Sequence, residues 1–403
     1  MEEWKKYRLD DFIEFNPTLS LKKGTIARKI TMDQLIPHSR DIYSWVYEPY
    51  SGGSKFQNGD TIMARITPCL ENGKHAFVSL LDNGEIAYGS TEYIVMRGKP
   101  GISDNLFVYY FSHFPAFKNA AIKSMVGSSG RQRARVDVLK NLEFYLPGLK
   151  EQKMIADSLS ALDDKIALNN RINHNLEEQA QALYKSWFVD FEPFKDGTFV
   201  DSELGMIPEG WTIVRFLDIA KLCSGGTPKT DVDAFWDGSI PFFTPKDVKA
   251  SPFCLKTEKY ITEDGLKHCN SQLYDVFTTF ITARGTVGKL CMAGAPMAMN
   301  QTNYAICSKT GISPITLYLM SKQIVAVLKN KANGAVFDAI TTRDFEGESI
   351  VAAPTFVLDR FAQIVRPIFD QILQNEKQTL TLIEQRDSVL PKLMSGRIDS
   401  ITC

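Results

Sequence analysis

At 403 residues the chain is long enough for two domains. Its 44% hydrophobic and 23% charged content is that of a folded globular protein, and its net charge of −1 argues against one that holds nucleic acid by bulk electrostatics alone. Seven scattered cysteines with no Cys-x-x-Cys pair speak against structural zinc. Together with the lack of a signal peptide at Met1–Lys6 and of any apolar run of about 18 residues, they predict a reduced, cytoplasmic protein.

The first element, Glu3-Trp4…Tyr7-Arg8-Leu9-Asp10-Asp11-Phe12, returns as Gly210-Trp211…Val214-Arg215-Phe216-Leu217-Asp218-Ile219. Trp4/Trp211, Arg8/Arg215, Asp11/Asp218 and Pro147/Pro354 are each 207 positions apart. That period is far above the roughly 20–50 residues of solenoid repeats, so it marks two copies of one domain-plus-helix unit.

Short apolar strands follow at Thr61–Ile66, Ala76–Leu80 and Tyr93–Met96, with tight turns at Asn58-Gly59, Asn72-Gly73 and Asn83-Gly84. Helical spacing of apolar residues predicts a helix from Asn105 to about Met125, then the glycine-marked loop Gly127–Gly130 and a strand at Leu142–Leu146. After Pro147 comes a heptad seam of Ile155, Leu159, Leu162, Ile166, Asn169, Asn173, Leu176, Ala180, Leu183 and Trp187. The paired carboxylates Asp163-Asp164 and Glu177-Glu178 on this helix are expected to be solvated. A Pro/Gly-punctuated linker, residues 191–210, leads to the second copy.

The second half repeats the order: strands at Phe277–Arg284 and Asn303–Cys307, a helix from Pro314 to about Lys331, a loop at Asn333-Gly334 and a strand at Ser349–Ala352. Its seam is Phe361, Val365, Ile368, Ile372, Asn375, Thr379, Leu382, Arg386, Val389 and Leu393, with Pro367 expected to bend the helix or delay its start. Asparagines in both seams fix register, because mispairing strands a buried amide. The expected organisation is α+β: recognition-type domains at 1–150 and 211–357, and antiparallel coiled-coil helices at 151–190 and 358–403. A coiled-coil dimerisation arm is the simpler reading of either helix alone; two matched seams favour pairing within the chain.

Catalytic signatures are missing. Gly285-Thr286-Val287-Gly288-Lys289 lacks the glycine and the Ser/Thr a phosphate loop needs, having Ala283 and Leu290 there. No serine-hydrolase elbow, zinc-protease helix or methyltransferase Asn-Pro-Pro-aromatic motif is present.

Several segments together resemble one family. They are Leu146-Pro147-Gly148-Leu149-Lys150-Glu151-Gln152-Lys153, Leu183-Tyr184-Lys185-Ser186-Trp187-Phe188-Val189-Asp190-Phe191-Glu192-Pro193, Ile207-Pro208-Glu209-Gly210-Trp211, Gly225-Gly226-Thr227-Pro228-Lys229, Gly238-Ser239-Ile240-Pro241-Phe242 and Leu390–Ile398. The chain resembles the specificity subunit of type I restriction–modification systems along nearly its whole length. It departs from the pattern at Asn16-Pro17-Thr18-Leu19-Ser20, where the second half has Gly-Gly-Thr-Pro, and at Leu358-Asp359-Arg360-Phe361, where the first has Glu-Gln-Lys. The resemblance implies a non-catalytic DNA reader with one target-recognition domain per half and the helices as spacer. It implies two modification subunits docked on the helices, and restriction subunits in the larger complex. S-adenosylmethionine, ATP and Mg²⁺ would belong to those partners, with no cofactor or metal on this chain.

Base-edge readers need Arg, Lys, Asn, Gln, Ser or Thr on a firm scaffold. Candidates in the first half are Arg131, Gln132, Arg133 and Arg135 after the glycine loop, then Arg65, Lys74 and Thr91. A solvated basic turn is the competing reading of the arginine segment. In the second half they are Arg284, Lys289, Asn300, Gln301, Asn303, Thr341, Thr342 and Arg343, with Lys229 and Lys246 as phosphate contacts. Asn300 and Gln301 could equally satisfy local backbone groups. A coiled-coil adaptor without sequence-specific DNA binding is the alternative function.

Overall fold

The computed structural model describes residues 4–331 and 339–397. Glu3, the Asn333-Gly334 loop, Ile398 and the last of the seven cysteines, Cys403, lie outside the described residues. The chain divides into two compact units, the first running to Leu168 and resuming at Thr379, the second from Asn169 to Gln378. Each unit therefore holds one globular half together with part of both long helices.

In the first unit Lys5–Arg8 pairs antiparallel with Glu143–Leu146, Lys5 opposite Leu146. This pairing ties the start of the globular half to its end, just before the helix Leu149–Phe188. One four-stranded antiparallel sheet has the order Ile13–Phe15, Tyr93–Gly98, Thr61–Ala64, His75–Phe77. Thr61–Ala64 is buried at every position, as a central strand covered on both faces must be. A second sheet runs Val46–Pro49, Ile26–Ile30, Ala87–Gly89, Ser54–Phe56, with a parallel pair at its centre. The expected single helix from Asn105 is two, Asn105–His113 and Pro115–Lys123. Phe114 precedes a proline, and that crowding holds it out of the helical region, at φ −58° and ψ 124°.

The second unit repeats this plan. Thr212–Arg215 pairs with Ser349–Ala352. The first sheet recurs as Ala220–Ser224, Asn303–Ser308, Thr279–Thr282 and Leu290–Ala293, extended by Phe253–Cys254. The second recurs as Lys259–Ile261, Trp236–Phe243 and Ala298–Met299, again with a parallel pair, Trp236–Phe243 beside Ala298–Met299. Pro314–Lys331 is one unbroken helix.

The long helices are Leu149–Phe188 and Thr355–Leu393. In each unit they pack antiparallel. In the first, Ile155 and Leu159 share a core with Leu390, Leu393 and Met394, while Asp163 meets Arg386. In the second, Asn173 meets Asn375 and Phe188 meets Phe361. Pro367 lies inside the continuous C-terminal helix on its exposed side, so the helix start is not delayed.

The seam asparagines are buried and paired. Asn375 Nδ2 donates to Asn173 Oδ1 at 2.8 Å, Asn173 Nδ2 to Glu376 at 3.0 Å and Asn169 Nδ2 to Gln378 at 2.9 Å. The strict heptad is not the whole buried face. Leu162, Ile166, Leu176 and Leu183 are only half-buried, and so are Ile368, Leu382 and Val389. Asp163, Ala167 and Tyr184, one place on from Leu162, Ile166 and Leu183, are buried, and so is Phe188, next to the seam residue Trp187. A helix with 3.6 residues per turn drifts from a 3.5 period, and each helix packs on its own globular half as well as on its partner helix.

Two of the four carboxylates expected in solvent are not there. Asp163 is 5% exposed, bonded to Arg386 at 2.6 Å and accepting from Tyr110 Oη at 2.7 Å. Glu177 is half-buried, paired with Lys322 and accepting from Tyr318 Oη at 3.2 Å. The globular halves supply Tyr110, Tyr318 and Lys322, and the partner helix supplies Arg386, partners that the pattern of one helix alone does not reveal.

Candidate nucleic-acid interface

In the first unit three distant segments converge beyond the end of Thr61–Ala64. Arg65 N donates to Glu92 O at 2.9 Å, and Ala134 N donates to Arg65 O at 2.8 Å. Thr67 N donates to Gln132 O at 2.9 Å, and Val126 bridges Arg133 across the glycine loop. Arg65, Thr91, Arg131, Gln132 and Arg133 thus sit on one backbone-bonded platform. Thr91, Arg131 and Gln132 are exposed. Arg65 is half-buried, and its Nε is buried without a hydrogen-bond partner.

The remaining candidates are committed locally. Arg133 is gripped by Glu92, with Nη2 2.7 Å from Oε1, and the carboxylate raises its pKa. Arg135 is paired with Asp137, and Lys74 donates to Met32 O at 2.7 Å. Each of the three thus has a partner within the chain, and the Arg133–Glu92 pair joins two segments of the platform.

The second unit builds the same platform. Ala283 N donates to Thr302 O, and Ile340 N donates to Ala283 O, each at 2.9 Å. The bridge Arg284–Ala339 matches Ile66–Arg133 of the first unit. Strand register makes Ala283 the counterpart of Arg65, and Arg284 that of Ile66. Arg284, Gln301, Thr341, Thr342 and Arg343 are exposed here, and so is Lys289 on the hairpin Gly285–Lys289. That hairpin joins two antiparallel strands, so it is no strand-to-helix phosphate loop.

Asn303 is fully buried in its strand, which removes it from any reading surface. Its Nδ2 donates to Asn300 Oδ1, which also accepts from Thr302 N at 3.2 Å and Thr302 Oγ1 at 2.8 Å. Asn300 therefore pins its own turn, the local role open to a short amide. The Thr227 hydroxyl donates to Gln301 Oε1. A side chain at Gly225 would lie 2.2 Å from Asn300 O, so only glycine lets the Gly-Gly-Thr-Pro loop reach this turn. Thr341 closes a capping box with Asp344. Lys229 is exposed, and Lys246 stands 3.8 Å from Glu258 with both side chains largely in solvent.

The profile of the type I restriction modification DNA specificity domain matches residues 1–178 and again 208–385. The chain belongs to this family. It is similar to the type I restriction enzyme MjaIX specificity subunit of Methanocaldococcus jannaschii, with 29% identity over 74% of this chain and 70% of that one. It is also similar to the HindI specificity subunit of Haemophilus influenzae, with 25% identity over 99% of this chain and 100% of that one. Its fold is that of the type I restriction–modification S subunit from M. genitalium, at a TM-score of 0.57 and 14% identity, covering 98% and 96% of the two chains. The two profile matches coincide with the internal repeat, and the function of this specificity subunit is DNA sequence recognition.

The structure adds a residue that the specificity-subunit sequence did not disclose. Lys329, exposed on the helix Pro314–Lys331, stands against the Gly285–Lys289 hairpin, its Cε 2.8 Å from where a side chain on Gly288 would begin. It joins Arg284 and Lys289 in a basic edge. In sequence it is one of two lysines in the last turn of that helix, with nothing to set it apart. Among the described residues no group of three or more His, Cys, Asp or Glu could hold a metal. No described helix is long and apolar enough to cross a membrane.

Proposed function

We propose that each globular half of this specificity subunit faces one part of a split, asymmetric duplex site. The chain itself performs no chemistry. The paired helices set the spacing and dock two modification subunits, and restriction subunits join the larger cytoplasmic complex. S-adenosylmethionine, ATP and Mg²⁺ act on those partners. The observation that carries this reading is the duplicated platform. One backbone scaffold joins the same three segments in both units, yet presents Arg65, Thr91, Arg131 and Gln132 in one and Arg284, Lys289, Gln301 and Arg343 in the other. A common scaffold with unlike side chains is what reading two different sequences requires. The modest net charge agrees with phosphate contacts shared among subunits.

Comparing genomic methylation with and without this gene tests the reading. A bipartite motif with an unread gap is expected to vanish with the gene. A contiguous motif would overturn the two-reader arrangement. Retention of the full motif without the gene would leave the adaptor reading in its place.

A further inference from the structure

The strand Val46–Pro49 lies at a sheet edge, bonded on one side only, to Ile26–Ile30. All four of its residues are exposed. Tyr47 is 58% exposed and the neighbouring Trp45 38%, in a chain whose large aromatic side chains are otherwise mostly covered. Both rings lie against one cation. The guanidinium of Arg28 lies 5.1 Å from the Trp45 ring centre and 5.8 Å from that of Tyr47. Arg28 Nε donates to Tyr47 Oη at 2.9 Å, and the guanidinium is fixed from behind by Leu80 O, Asp82 and Glu85. Two aromatic faces are thus preorganised in solvent by a buried cation whose own charge is satisfied.

The edge is continuous with the reading platform. Val46 pairs with Lys29, and the next residue along, Ile30, pairs with Gly89. Gly89 leads directly into Ser90, Thr91 and Glu92. With neighbouring strands about 4.8 Å apart, Trp45 lies on the order of 10 Å from that turn across the sheet. At the other end of the edge Gly24 N donates to Tyr50 O, which brings in Lys22 and Lys23. Both lysines are exposed with no ion-pair partner among the described residues. Residues 1–150 carry 20 Lys+Arg against 16 Asp+Glu, where residues 198–357 carry 15 against 16.

The second unit has a related but more covered arrangement: Lys259 Nζ lies 5.3 Å from the Trp236 ring centre, and Tyr260, which pairs with Pro241 as Tyr47 pairs with Arg28, is half-buried rather than exposed. Its matching strand, Lys259–Ile261, turns Ile261 into the core, and Trp236 beside it is half-buried edge-to-face on Phe242. A surface for a partner that grips both halves alike would be duplicated with the scaffold. A surface that reads sequence is free to differ.

We infer that Trp45 and Tyr47 contact the DNA duplex of the first half-site, as rigid apolar faces set against base methyl groups or a base step, with Lys22 and Lys23 on the flanking phosphates. The inference rests on the bipartite reading above and adds a second contact region to the first half alone. Apolar faces of this kind discriminate among base pairs without hydrogen bonds, through thymine methyls and step deformability.

The test uses the chain co-purified with its modification subunits and fluorescent duplexes carrying the site found by methylation mapping. Trp45→Ala and Tyr47→Ala are each expected to weaken cognate binding about tenfold or more and to relax sequence preference in one half-site. Affinity for unrelated duplex and preference in the other half-site stay as in wild type. Tyr47→Phe keeps the ring face and most of the affinity. Cognate binding within twofold of wild type for both alanine variants would overturn the inference. So would loss of modification subunits from complexes whose specificity subunit remains folded, since the edge would then be a protein-docking surface. A wild-type complex without bipartite preference would instead sink the reading on which the inference rests.

Discussion

The two units share the register of their common strand pairs, yet they fill one matching pair of helix positions against the globular half with unlike residues. In the first unit the helix positions are Asp163 and Arg386, a buried ion pair bonded to Tyr110. The seam repeat places Phe369 and Ala180 at the matching positions of the second unit, both fully buried and apolar. Three of the five histidines add to the polar side: His38, His75 and His113 gather in the first unit, with His75 and His113 rings 4.6 Å apart. One scaffold therefore tolerates either a polar or an apolar seat. The polar one commits the first unit to a geometry in which every partner must be present.

Breaking that pair should separate the units most clearly. Arg386→Ala leaves Asp163 buried without its cation and should cost the first unit about 3–5 kcal/mol. Amide hydrogen exchange should register the loss in that unit and spare residues 212–352. Replacing both partners together, Asp163→Phe with Arg386→Ala, copies the second unit's residues and should recover most of the loss. No recovery would mean that the two seats are not interchangeable.

Acidification should separate them next. The Ser112 hydroxyl donates to Tyr109 O, so His75 Nδ1–H donates to Ser112 Oγ at 3.0 Å, and Nε2 is a buried acceptor without a donor. Burial pushes His75 down to about 3, and Lys118 and His38 add to the shift. His113 is lowered by burial first and then by His75, Arg386, His38 and Lys118. The folded state resists protonation while the unfolded chain accepts it near pH 6.5. Stability is therefore full above pH 6.5 and falls as pH drops through the window towards 3, by about 1.4 kcal/mol per pH unit for His75. Denaturant midpoints of the first unit should follow this slope, and His75→Phe should flatten it by that amount.

These polar seats also show where the sequence stops being legible. The duplication, the α+β class, the strands next to Pro147 and Pro354, and the seam asparagines are legible in the sequence, because periodicity and turn chemistry act over a few residues; the pairing of those strands with Lys5–Arg8 and Thr212–Arg215 is not. The partners of Asp163 and Glu177 do not, since they come from Tyr110 and Arg386 in one unit and Tyr318 and Lys322 in the other. Residue type alone marks Arg133 and Asn303 as readers, yet the fold engages them with Glu92 and in a buried strand, and of the two roles open to Asn300 it shows the local one. Tyr47 and Trp45 carry no signal of their own, because an exposed aromatic and a core aromatic look alike in sequence.

The seam asparagines test whether register is shared or local. Asn173→Ala removes the acceptor for Asn375 Nδ2 and the donor for Glu376, and should cost the second unit about 1–3 kcal/mol in chemical denaturation. Asn173→Leu with Asn375→Leu leaves neither of those two amides unpaired and should restore stability. Crosslinks across the helix pair should then report mixed registers in the double variant and a single register in the parent.

The smallest effect distinguishes a reader from a brace within the first platform. Arg131 is exposed and without an ion-pair partner among the described residues, whereas Arg133 is compensated by Glu92. If Arg131 holds a phosphate, Arg131→Ala should reduce the slope of log affinity against log salt by about one in the assembled complex. Removing the Arg133–Glu92 pair together takes away no net charge and should leave that slope unchanged. Arg284→Ala makes the matching test in the second unit, because Arg284 is exposed where its counterpart is Ile66. A drop in slope for Arg284 but none for Arg131 would shift phosphate binding to the second platform. It would leave the first to its aromatic edge and its uncharged groups.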